Sequence, residues 1–375
     1  MKKLISILVA FAMMAALAVT AAFAEDPVPQ GTAATAKLVK YLQAGEGVSV
    51  PDGMVFNFTL TPDANNPGTV NTVNVAIPVS GMTEDANGDY IGSKTIAEIF
   101  NGVTFPKAGE YIFTADEVAT TWTAAEGETL VEDADTFEVH IYVKNDGNGT
   151  AIDKVTVSDG DEKVDPTEIK DVADDGQDED GNNIGFSFTN TFKKDLTDDD
   201  DTDNTGLIDL TKTVTGDYGD KTYKFPFEFT YTLPEANPSA VKYKVLKDGQ
   251  TEAQATEQTA ANGKIEVTLG HGDKLIITQA PQGLKWATEE KIASATDLQN
   301  YDKYTTTANG DQATSTDEVI LETTGAAAYV NDLQDDDVTP TGILVNNLPY
   351  IALALVAIGG LVAYVVVRRR NADEA

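Results

Sequence analysis

The 375-residue chain carries 61 acidic side chains against 26 basic ones, a formal net charge of −35, and no cysteine. A surface this acidic repels nucleic acid and anionic membranes, so neither is an expected partner. Disulfides are excluded, although exported domains often depend on them for durability. There is no glycine-rich phosphate loop and no nucleophile–base–acid pattern, and His140 and His271 lie too far apart to suggest metal ligation. No cofactor or metal is expected, and no catalytic turnover.

In chain order, Lys2 and Lys3 precede an apolar run, Leu4 to Phe23, that closes on Ala22-Phe23-Ala24. This is the layout of a secretory signal peptide over 1–24, with Glu25 as the mature start. The body then reads as β throughout. Phe56-Asn57-Phe58-Thr59-Leu60, Phe137 to Val143, Ile184 to Phe188 and Phe225 to Tyr231 alternate with period two between Gly, Asn and Asp clusters. Helical spacing is scarce, and Thr95 to Phe100 allows one short turn at most. Asp198 to Asp201 sits in a stretch without apolar residues, which divides the body. The fold class expected is all-β: two tandem β-sandwich domains, 25–194 and 205–337, joined by an acidic linker over 195–204. Past Val338-Thr339-Pro340-Thr341-Gly342, the segment 343–375 holds an uncharged stretch, Leu348 to Val367, followed by Arg368-Arg369-Arg370. That stretch is long enough for a transmembrane helix, and the arginines would lie on the cytoplasmic side, leaving the body outside the cell.

The two halves repeat one another. Ala36, Leu38, Lys40 and Leu42 share one strand face, and so do Ile208, Leu210, Lys212 and Val214. Side chains on a strand alternate faces, so each lysine points into a core. Glu117 shares a face with Phe113 and Ala115, and Glu290 with Trp286 and Thr288; the lysine-to-glutamate separations are 77 and 78 residues. Each half ends on an inward asparagine, Asn190 among Phe186, Phe188 and Phe192, and Asn331 between Tyr329 and Leu333. Asp116 and Glu289 are the alternative acids, disfavoured by parity, and Lys37 is the alternative lysine.

A lone lysine in a core is costly. Burial lowers an amine's pKa and raises a carboxyl's, so a neutral Lys40 would face a protonated Glu117. The Lys40 amine would attack the side-chain amide carbon of Asn190, with Glu117 polarising the carbonyl and carrying protons, and ammonia would leave. Lys212, Glu290 and Asn331 would repeat the step. Fixing reactants in a core supplies effective molarities of about 10⁵ M or more, roughly 7–11 kcal/mol of barrier. The product is a Lys–Asn isopeptide bond in each half, formed once.

These residues carry a resemblance. Lys212-Thr213-Val214-Thr215-Gly216, Gly109 to Glu117, Phe188-Thr189-Asn190, Lys303-Tyr304-Thr305-Thr306 and Tyr329-Val330-Asn331 together resemble the Gram-positive major pilins of the streptococcal T-antigen kind. The resemblance implies immunoglobulin-like isopeptide-linked domains, with bonded lysine and asparagine on adjoining first and last strands. The motif over 338–342 resembles a sortase sorting signal, although the familiar form begins Leu-Pro. It implies cleavage between Thr341 and Gly342, with sortase, other pilin subunits and peptidoglycan as partners, and a cell-wall location. In such pilins the lysine that accepts the acyl group lies seven residues before the bonded asparagine; here that position is Asn183. Lys163 and Lys170, in what reads as an acid-rich insertion over 155–182, are the nearest candidates. The competing expectation is a minor pilin or singly anchored adhesin that binds a host surface ligand, for which Trp122 is the one loop-like tryptophan.

Overall fold

The computed structural model describes residues 29–147, 149–160, 162–169, 185–198, 200, 202–291 and 303–334. The leader over 1–24, Lys170, Asn183, Thr341, Gly342 and the apolar span lie outside these residues.

The protein is all-β. The N-terminal half holds β1 (Lys37–Gln43), β2 (Val55–Pro62), β3 (Val73–Pro78), β4 (Thr83–Glu84), β5 (Tyr90–Thr95), β6 (Gly109–Val118), β7 (Glu128–Val131), β8 (Thr136–Asp146), β9 (Gly149–Asp159), β10 (Glu162–Val164) and β11 (Ser187–Thr197). The C-terminal half holds β12 (Ile208–Thr215), β13 (Phe225–Thr232), β14 (Lys242–Leu246), β15 (Gln258–Thr259), β16 (Lys264–Leu269), β17 (Lys274–Pro281), β18 (Lys285–Glu290), β19 (Thr305–Ala308), β20 (Val319–Ile320) and β21 (Gly325–Asp332). The expected helical turn is α1 (Ile96–Ile99). Thr95 and Glu98 close a capping box there, each side chain accepting the other's main-chain N–H.

Period-two burial builds the cores. In β2 the side chains of Phe56, Phe58 and Leu60 are buried, while Asn57 and Thr59 between them are not. The sheet β10-β9-β8-β6-β2-β3 packs across the core from β4-β5-β1-β11. Ring contacts such as Phe58 on Phe188 and Phe137 on Phe186 join the two. In the C-terminal half β16-β13-β18-β20 faces β19-β21-β12-β17. Part of the stretch read as an insertion belongs to the first core: Val155, Val157 and Val164 are buried on β9 and β10. The acids between Val157 and Val164 make the stretch read as surface.

Among the described strands only two pairs are parallel, β1 with β11 and β12 with β21. Each joins the first strand of a half to its last. Gly216 ends β12 at φ 88°, where a Cβ would come within 2.2 Å of the Leu333 carbonyl oxygen; only glycine allows that approach.

The stretch read as linker opens in strand. Residues 195–197 of β11 pair with β17, so the sheets of the two halves are continuous. Leu196 packs against the C-terminal core, and the Asp195 carboxylate accepts from Asn237 Nδ2 and Ser239 Oγ. The acid run therefore starts on a structured edge, with Leu196 as its one apolar foothold. Gln282 bridges the halves further. Its Oε1 accepts the Ser49 N–H at 3.0 Å and its Nε2 donates to the Glu322 carbonyl at 2.6 Å. Gln282→Ala should cost about 1 kcal/mol in chemical denaturation and speed protease cleavage within 198–204. Unchanged cleavage would show that the β11–β17 ladder holds the junction unaided.

Candidate cross-linking sites

β1 sends Leu38, Lys40 and Leu42 into the first core, all fully buried. In the parallel register Lys40 stands opposite Phe188 and Leu42 opposite Asn190. The asparagine thus lies two residues beyond the lysine's partner, on the same face. Flanking apolar residues fix this register, because a one-residue slip would turn every core side chain to the other face. Glu117 comes from the opposing sheet, on β6 across from Phe58. Its Oε2 accepts from Lys40 Nζ at 2.7 Å and its Oε1 from Asn190 Nδ2 at 2.7 Å. The ammonium lies 4.9 Å from the centre of the Phe56 ring, a favourable face for a cation.

The second site repeats the plan. Lys212 stands opposite Tyr329 and Val214 opposite Asn331, the same offset of two. Glu290, on β18 across from Phe227, accepts from Lys212 Nζ at 2.8 Å and Asn331 Nδ2 at 2.7 Å. Lys212 Nζ lies 4.3 Å from the Phe225 ring centre. Lys212, Glu290 and Asn331 are at most 1 % exposed, and these contacts are direct hydrogen bonds.

Burial pulls the Lys40 and Lys212 amines down to about 8, against the attraction of Glu117 and Glu290. Burial also pushes the Glu117 carboxyl up, opposed by Lys40. Each glutamate touches both nitrogens involved in an amide exchange. It can take a proton from the attacking amine on one oxygen and deliver it to the departing Nδ2 from the other.

One detail differs from the sequence-based expectation. Glu117 faces the amide nitrogen of Asn190 rather than its carbonyl. The carbonyl Oδ1 accepts instead from the main-chain N–H of Asp133, at 2.8 Å. An N–H can only donate, so this contact fixes which end of the amide faces Glu117. In the second site Asn331 Oδ1 is buried and makes no hydrogen bond. Asp133 was missed because it sits in Glu132-Asp133-Ala134-Asp135, which reads as one more solvated acid run.

The alternative residues lie elsewhere. Lys37 has the opposite parity on β1, Asp116 accepts from Thr136 Oγ1, and exposed Glu289 pairs with Lys291. Lys163 is exposed on β10, at the edge of its sheet. Trp122 leans edge-on against Phe192, partly buried, with ring centres 5.8 Å apart.

The pH dependence of this chemistry has a definite sign. Neutral amine with protonated carboxyl carries as many protons as ammonium with carboxylate, so their ratio does not change with pH while the pair keeps its shared proton. Above about 8 the Lys40 amine loses that proton. In chain refolded from denaturant, the rate of ammonia loss followed by intact mass should be flat through neutrality and fall above about pH 8. A rate still climbing there would mean that ionised Glu117 suffices.

An all-β protein in which a buried Lys–Glu–Asn trio ties the first strand of each half to the last defines a class. Residues 36–193 match the family of Spy0128-like isopeptide containing domains, and residues 206–332 match a domain family of unknown function. A pilin of Streptococcus pyogenes serotype M1 is 26% identical over 179 residues, 44% of this chain and 49% of that protein. The chain therefore spans about half the length of that relative. Solved structures of the major pilin from Streptococcus pyogenes and of the major pilin protein (T3.2) from Streptococcus pyogenes serotype GAS13637 align at 16% identity, with TM-scores of 0.30 and 0.29. Those alignments cover 80% and 81% of this chain and 99% of each pilin. Residues 36–193 are thus similar to Spy0128-like isopeptide containing domains, and 44% of the chain is similar to a streptococcal pilin.

Proposed function

We propose that the protein is a structural pilus subunit of two tandem immunoglobulin-like domains, 25–194 and 205–337, each locked by a self-formed isopeptide bond. The observation that carries the reading is the repeated trio: lysine and asparagine on parallel neighbours at the same two-residue offset, with one buried glutamate on both nitrogens. Lys40 Nζ bonds to Asn190 Cγ and Lys212 Nζ to Asn331 Cγ. In each case one proton leaves the amine, passes through the glutamate to Nδ2, and departs with it as ammonia. Each domain does this once, so the protein is not an enzyme.

The 1–24 leader directs export, and the span within 343–375 holds the precursor in the membrane. Sortase cleaves between Thr341 and Gly342 and passes the Thr341 acyl group to a neighbouring subunit or to peptidoglycan. Lys163 and Lys170 are the candidate acceptors; exposure on an edge strand supports Lys163. Trp122 packs inward, which gives an adhesin reading little support.

The mature chain should weigh two ammonia molecules less than its sequence, and Glu117→Ala and Glu290→Ala should each restore one. A body at full sequence mass would exclude the bonds. Blots of wall extracts boiled in detergent should show a ladder, and Lys163→Arg should collapse it if Lys163 is the acceptor. A single wild-type band would instead favour a singly anchored protein.

A further inference from the structure

We propose that the main-chain N–H of Asp133 is a catalytic donor of the first site, which holds the Asn190 carbonyl oxygen and stabilises the negative charge that develops on it as Lys40 attacks. This inference rests on the cross-linking reading above and adds a part to that chemistry.

As the Nζ electron pair enters Asn190 Cγ, the carbonyl pair moves onto Oδ1. It returns when the Cγ–Nδ2 bond breaks and ammonia leaves. Glu117 handles the protons but stands on the two nitrogens and leaves Oδ1 to another group. A fixed N–H about 2.7–3.1 Å from such an oxygen, in a site without water, is the arrangement that stabilises an oxyanion. Asp133 N–H lies 2.8 Å from Oδ1.

The donor is held in place by its own side chain. Asp133 belongs to the loop 132–135 between β7 and β8. The β7–β11 ladder pairs Val131 with Thr191, and the same antiparallel register would bring Asp133 opposite Thr189. There the ladder pattern changes. The Thr189 N–H is accepted by Asp133 Oδ2 rather than by a main-chain carbonyl, while Oδ1 accepts the Asp135 N–H at 2.8 Å. The carboxylate thus clips the loop to β11 one residue from Asn190, and the Asp133 N–H is free to point at the reacting amide. Both carboxylate oxygens are engaged by N–H groups. The second site lacks a counterpart, since Asn331 Oδ1 is buried without a hydrogen bond.

The test uses full-length mature chain taken unfolded from inclusion bodies and refolded by dilution. Intact mass and peptide mapping follow each bond separately, so the second site is an internal control. In wild type the Lys40–Asn190 bond should close ahead of Lys212–Asn331. Asp133→Ala removes the clip and should slow the first bond on the order of 10- to 100-fold, leaving the second unchanged. A second measurement does not depend on that variant folding. In the Glu117→Ala chain, which cannot close the first bond, the Asp133 amide should resist hydrogen exchange. Adding Asn190→Ala should release that protection, which a merely structural clip would not do. If wild type lost no ammonia from either site, the cross-linking reading itself would fall. If it lost both while Asp133→Ala closed the first bond at the wild-type rate, or if Asp133 exchange ignored Asn190, only the present inference would fall.

Discussion

A lysine amine with no access to water is the constraint on which the rest of this structure turns. Taking an ammonium and a carboxylate out of water costs several kcal/mol per ion, and their attraction offsets that only with good geometry and further hydrogen bonds. Replacing such a pair with well-packed apolar groups is often neutral or stabilising. Lys40–Glu117 and Lys212–Glu290 are therefore weak devices for stability if they remain ion pairs. The arrangement makes better sense as a reactive one. Burial favours the neutral amine, each carboxylate spans both nitrogens, and the asparagine cannot move away because it is part of a ladder. In the proposed reaction the cost of burying two charges falls on the unlinked chain and would be relieved once amine and amide were joined.

Much of this was legible because the strand period is two. Parity alone places Lys40, Glu117 and Asn190 inward, and likewise Lys212, Glu290 and Asn331, since a lysine between Leu38 and Leu42 has no other face to occupy. Parity says nothing of which strands adjoin; that first and last strands lie side by side was implied only by resemblance, and their parallel sense is read from the structure. Composition argues against a strand at Gly325 to Ala328, yet that segment forms the start of β21. Tertiary packing decides there. A Cβ on Gly325 would come within 2.6 Å of the Trp286 ring and Ala327 is fully buried, so small residues are what the site admits.

What stayed illegible shares one cause. In a chain with 61 acidic residues, any single acid looks like solvated surface. Asp133 shapes a buried site from within such a run, and Asp195 anchors the junction from the edge of another. The valines of β9 and β10 were likewise obscured by their acidic neighbours. Composition sets the exposure expected of an average aspartate. The hydrogen-bond partners that make one exceptional come from strands distant in sequence.

The same interaction bears on how the halves act together. β11 carries Asn190, and five residues later its backbone pairs with β17, which in turn pairs with β12, the strand that carries Lys212. β12 is held along its whole length by β21, which carries Asn331 and leads toward the C-terminal end. One sheet therefore contains both proposed bonds, and a single strand, β17, lies between the two bonded pairs. Tension drawn along β11 and β21 loads the parallel ladders in shear, so several hydrogen bonds must yield together. The proposed covalent bond within each ladder would cap how far its strands slide, because displacement beyond the Lys–Asn linkage would require breaking an amide. The ladder between β11 and β17 has no such bond. With only three residue pairs, it is the part of the sheet that would yield first. The side-chain bridges of Gln282, Asp195 and Lys285 with Glu46 are gathered around that gap.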